Sequence, residues 1–260
     1  MTPSSLAAPG RGAPAPLLRR VAAQARHESL AMLRNGEQLL LLVVLPLMAL
    51  VALTLTDLLD GTVPAGASRV DVAVPGVLAL CVLSSAFSGQ GIQTGFDRRY
   101  GVLRFLSTTP LGRGGLIAGK LLAIVAVLAV QSVLVATLGA LLGWRPDPAA
   151  LLVCVPVLLL GAAAFTGLGL LLAGTVRAEA TLAVTNLVWV LLAAVGGTLF
   201  PSPTLPARFA PLVELLPSGA LGTALRETFL TGGPDLLPVL VLALWAAAAW
   251  AAAVRWFRWS

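Results

Sequence analysis

Two long apolar stretches, 116–142 and 150–175, follow one another with only a short turn around Arg145-Pro146-Asp147-Pro148 between them. Each exceeds the roughly 20 apolar residues that carry an α-helix across the hydrocarbon of a bilayer. They are not isolated: further apolar runs lie at about 39–56, 72–96, 180–200 and 235–254. Together they bring the hydrophobic share to 58%, leave 11% charged, and give a mean hydropathy of +0.95. A soluble domain cannot hide so much apolar surface in its own core, so the excess has to face lipid. Barrel strands read instead as segments of about ten alternating residues, which these continuous runs are not. The expected fold is all-α, a polytopic integral membrane protein with six transmembrane helices.

The remaining segments fit around those spans. Residues 1–16, rich in Pro, Gly, Ala and Ser, are expected to be disordered. Over 17–38 the helical period places Leu18, Val21, Ala22, Ala25, Ser29, Met32 and Leu33 on one face, with Arg20, His27 and Arg34 opposite. That pattern predicts an amphipathic helix lying in the membrane interface. Residues 201–233 are Pro-rich and too interrupted to span; short helices dipping into the membrane suit them better. Ala65-Gly66-Ala67 resembles a signal cleavage site, but the apolar run before it is long and follows a whole amphipathic helix, so it is read as a retained span.

Net charge is +6, from sixteen arginines and the single lysine Lys120 against eleven acids. These charges lie between the apolar runs and accompany no nucleic-acid motif, so they report topology and contact with anionic headgroups or a cytosolic partner. With both termini cytoplasmic, thirteen cations fall inside and Arg69, Arg145, Arg208 and Arg226 outside. That asymmetry predicts an N-in, C-in orientation. The Arg-over-Lys and Ala/Leu bias is that of a GC-rich bacterial genome, which places the chain in a bacterial cytoplasmic membrane.

None of the six apolar cores contains an acid, His or Arg, and Lys120, near an inner end, is expected to snorkel to the headgroups. An ion-coupled carrier usually retains a charge in the membrane, so the energy for any transport is expected to enter from elsewhere. No carboxylate pair, His cluster or nucleophilic dyad is available for an enzyme. Ser84, Ser85, Gln90, Gln93, Gln131, Ser132, Thr185 and Asn186 are polar and uncharged, consistent with hydrogen bonds between helices or with lining a path; Gln93, Gln131 and Asn186 are the path candidates. Gly91/Gly95, Gly115/Gly119 and Gly139/Gly143 have the spacing of close helix packing. Cys81 and Cys154 sit in apolar runs as small hydrophobes, with no redox or metal motif. Residues 114–120 match a phosphate-binding loop as far as Lys120, but Leu121 stands where a Ser or Thr is needed and no strand precedes it.

The loop after the second run reads Phe96-Asp97-Arg98-Arg99-Tyr100-Gly101-Val102-Leu103-Arg104-Phe105-Leu106-Ser107-Thr108-Thr109-Pro110-Leu111-Gly112-Arg113 and leads to Gly119-Lys120. It is expected to form a short amphipathic helix that Asp97 starts, that Pro110 stops, and whose Val102, Leu103, Phe105 and Leu106 make an apolar surface. Such a helix suits either docking into a groove on a partner or lying on lipid. The run of an acid, Arg, Gly, two Leu, Thr-Pro-Leu, Arg and Gly-Lys resembles the loop of permeases of the ATP-binding-cassette type-2 exporter family. The likeness extends to an elbow helix over 17–38, the domain over 39–260, Asn186 leading the fifth span, Gly196-Gly197, Phe200-Pro201, Leu205-Pro206 and Leu216-Pro217.

The resemblance implies that 97–113 carries a cytosolic coupling helix, with Asp97, Arg98, Arg99, Gly101, Leu103, Arg104, Leu106 and Pro110 at its contact with a separate ATPase subunit. It also implies an outer re-entrant helical hairpin over 201–233 and a second permease subunit, identical or paralogous. The chain itself would bind no cofactor, since ATP and magnesium would sit on the partner. Asp97 replaces the family's usual Glu, and Tyr100 a frequently charged residue. The function expected is export of a hydrophobic or amphipathic substrate such as a drug, antibiotic or lipid-like molecule. The alternatives are an ion-coupled carrier and a membrane scaffold or assembly factor.

Overall fold

The computed structural model describes residues 15–107, 109–201 and 208–257. Among them every regular element is helical: α1 Leu17–Arg34, α2 Leu40–Leu55, α3 Arg69–Arg99, α4 Val102–Ser107, α5 Gly112–Leu141, α6 Pro148–Thr175, α7 Ala178–Ala194, α8 Ala210–Glu214, α9 Pro217–Leu230 and α10 Leu236–Trp256. Four of these, α3, α5, α6 and α10, are long and apolar enough to cross a membrane. The shorter α2 and α7 are apolar helices of under 18 residues, and at 1.5 Å per residue they fall somewhat below a ~30 Å hydrocarbon layer.

The central strut is α3. A capping box starts it, with Ser68 N–H and Oγ both donating to Asp71 Oδ2 at 2.8 and 2.6 Å. Its apolar residues from Val70 to Phe87 are buried almost without exception, because α2, α5, α6 and α9 pack around it. Between Leu83 and Gly89 the strut widens into π-helical turns before resuming as a regular helix.

Small residues set the close approaches. A side chain at Gly169 of α6 would put its Cβ 2.8 Å from the Phe87 carbonyl oxygen, and one at Gly167 would come within 2.9 Å of Ala249 of α10. Gly91 faces Gly169 and Thr185, and Gly95 faces Thr181, so this glycine pair seats α3 against α6 and α7. Gly119 lets α1 lie against α5, with Gln24 Cγ 2.7 Å from where its Cβ would be. Gly139 packs on Val74, whereas Gly143 instead ends α5 with φ +99°. Cys81 and Cys154 are buried and unpaired, as expected of small hydrophobes.

The turn before α6 forms as its residues suggest: Asp147 accepts from the Ala149 N–H at 2.9 Å and Pro148 takes the first helical position. The segment expected as one amphipathic helix over 17–38 breaks at Asn35, whose backbone is extended. Its buried stripe runs through Ala25, Glu28 and Met32, while Leu18 is 79% exposed. Within 201–233, residues 202–207 lie outside the described ones; α8 and α9 meet at a tight turn, and α9 is buried against α3, α6 and α10.

Candidate functional site

The loop between α3 and α5, expected to be the coupling loop, is organised by charges at its base. Lys120 of α5 does not reach for headgroups as expected: it is 2% exposed, with Nζ 3.0 Å from Glu28 of α1 and 3.2 Å from Asp97 of α3. The reason is its place on the helix, on the face of α5 turned toward Glu28 of α1 and Asp97 of α3, which offer it partners nearer than any headgroup. Glu28 also accepts from Gln24 at 2.8 Å and from Gln90 at 3.4 Å. A buried ion cluster therefore ties three helices at one point. Such clusters contribute little net stability, but removing one member strands the others in low dielectric. The stretch 114–120 is continuous α-helix, so its backbone cannot cradle a phosphate.

The expected loop residues divide by role. Asp97 and Arg98 belong to the last turn of α3 rather than starting the short helix. Arg98 donates to the Ala173 and Val176 carbonyls at 2.7 and 2.9 Å, satisfying the C-terminal end of α6 with a positive charge. Arg99 pairs with Glu179 of α7 at 2.9 Å, on the surface. Gly101, with φ +73°, makes the reversal into α4 that a side chain would strain.

Leu103 is buried, so it anchors α4 inward and leaves the expected apolar surface to its neighbours. Leu106 is half-buried and Arg104 exposed. Beyond α4, Arg20 of α1 donates to the Pro110 carbonyl. Outward from this base point Tyr100, Val102 and Phe105, which are 72%, 38% and 70% exposed. Tyr100 is held by a stacked Phe96 ring with centroids 6.2 Å apart.

Of the three polar path candidates, two share a wall. Gln93 and Asn186 line a cavity of about 400 Å³ between the start of α2, the C-terminal half of α3 and α7; Ser84, Ser88, Phe96, Asp97 and Trp189 also line it. Trp189 is fixed there by donating from Nε1 to Ser84 Oγ at 3.1 Å. Gln131 is elsewhere: it is buried and donates to the Leu42 carbonyl in the widened turn of α2 at Leu40–Val44.

Two charged residues escaped the reading of the sequence. Glu28 was detectable as the acid on the stripe between Ala25 and Met32, a position that demands a partner. Arg226 of α9, counted among outer-loop cations, is buried and donates to the carbonyls of Gly197 and Thr198 beyond α7. No local pattern marked it, because the carbonyls come from a distant turn.

The fold and this arrangement define a polytopic helical membrane protein with a short, anchored helix presenting an apolar face. A family model described as ABC-2 type transporter matches residues 20–230, and the chain belongs to that family. Comparison with curated proteins gives no match. The chain is thus an ABC-type transporter permease, the transmembrane component of such a system, and permeases of this family work with ABC ATPase partners.

Proposed function

We propose that the chain exports a hydrophobic or amphipathic substrate across a bacterial cytoplasmic membrane, using ATP hydrolysed by a separate subunit that docks on α4. In this reading all six apolar helices span, both termini are cytoplasmic, and 208–230 belongs to an outer re-entrant hairpin. A second permease subunit completes the path. The observation that carries the reading is the exposed Val102 and Phe105 on a six-residue helix, with exposed Tyr100 just before it, whose base is tied to α1, α5, α6 and α7. A free lipid-facing helix has no need of such rigid anchoring, whereas one that transmits force does. ATP-driven motion enters through α4, and Asp97 conveys it to the cavity wall.

The test is affinity purification from native membranes. The unaltered chain should recover a nucleotide-binding ATPase, and Phe105→Glu should lose it while remaining folded, since that side chain points outward. Recovery from neither, with abundant folded protein, sinks the reading and brings the scaffold alternative forward. The buried Glu28 and Lys120 and the partly exposed Asp97 favour a second reading as an ion-coupled carrier, because they supply ionisable groups beside the cavity. Transport in vesicles separates the two: ATP dependence with indifference to ionophores excludes the carrier, and the reverse excludes the ATP-driven exporter.

A further inference from the structure

Among the described residues lining the cavity, Asp97 is the one charged side chain. Asp97 and, behind it, Glu28 share the single ammonium group of Lys120, so with all three groups ionised the cluster carries a surplus negative charge. Glu28 and Lys120 are 3% and 2% exposed, while Asp97 is 22% exposed. The surplus charge therefore surfaces at Asp97, on the cavity side. Low-dielectric walls focus such a field into the space they enclose.

The rest of the wall complements that charge. Phe96 and Trp189 offer aromatic surface of the kind that attracts a cation. Gln38, Gln93 and Asn186 are uncharged, and Gln93 Oε1 is buried without a hydrogen-bond partner, leaving an acceptor to spare. Leu41, Ile92 and Leu182 supply apolar contact. An anion would meet a carboxylate here, with the nearest ammonium enclosed behind it.

We infer that this cavity binds an organic cation with an apolar body, seated with its charge toward Asp97 and its body between α2, α3 and α7. The inference rests on the permease reading for its meaning in transport, and it names the substrate class of that path. Binding itself needs neither ATP nor a partner.

The experiment uses the purified full chain in neutral detergent micelles and two probes of matched shape and opposite charge, tetraphenylphosphonium and tetraphenylborate. Retention of each is measured by equilibrium dialysis against empty micelles. The phosphonium should be held more tightly than the borate by roughly tenfold or more, the scale of one partly buried charge contact. Asp97→Asn should collapse that preference, and Asn186→Leu, which leaves the ion cluster intact, should weaken phosphonium retention.

Equal retention of both ions, retention of neither, or an unchanged preference in a folded Asp97→Asn overturns the inference. If Asp97→Asn does not fold, the unaltered chain and Asn186→Leu still decide it. A chain that recovers its ATPase but shows no charge preference keeps the permease reading and loses this one. A chain with the preference but no ATPase does the opposite.

Discussion

Lys120, itself buried, bridges two carboxylates, and its removal is costlier than its net contribution suggests. Lys120→Met is expected to destabilise the protein by about 3–5 kcal/mol, because Glu28 and Asp97 are left facing each other without a counter-charge. The pair Glu28→Gln with Lys120→Met should recover part of that loss. Thermal unfolding of the two variants and the unaltered chain in detergent checks both statements. Lys120 was visible as an oddity in the sequence, near the end of an apolar run, but its partners were not. Glu28 is 92 residues away and Asp97 is 23. Only the seating of α1 against α5, which depends on Gly119, brings them together. Arg226 was opaque for the same reason, since its partners are backbone carbonyls that carry no residue signature.

At the scale of elements, α4, the docking helix of the proposed reading, lies between two glycines with positive φ, Gly101 at +73° just before it and Gly112 at +67° at the start of α5. Gly101→Ala should cost about 1 kcal/mol through its left-handed backbone and reduce ATPase recovery more than its modest effect on stability would imply. Arg98→Gln withdraws a charge from the carbonyls that end α6 and should cost about 1 to 2 kcal/mol. Hydrogen exchange should rise first in the last turn of α6, around Ala173 to Val176, rather than in α4. The long helices, the turn at Asp147-Pro148 and the short helix before Pro110 could all be read from periodicity, length and turn residues. The division of labour within the loop could not. Arg98, Arg99 and Leu103 look like docking residues along the chain, yet they face inward or sideways, and the face that remains is Tyr100, Val102 and Phe105.

For the whole molecule, a single stretch of α3, from Ser84 to Asp97, lines the cavity, and its C-terminal end makes the connection to α4. Filling the cavity with Asn186→Trp is expected to abolish transport while ATPase recovery is retained, which co-purification and a vesicle assay on the same preparation would check. The connection depends on the π-helical turns at Leu83–Gly89. A widened turn holds an additional residue, so everything C-terminal to it is out of phase, by about 100° of rotation, with the helix an unbroken α3 would have formed. In the present phase Gly91 and Gly95 meet α6 and α7 while Gln93 and Asp97 look into the cavity. Deleting one residue between 83 and 89 would iron out the widening and swing that whole register round the helix axis. Such a deletion should therefore be tolerated far less well than any single substitution in the same seven positions.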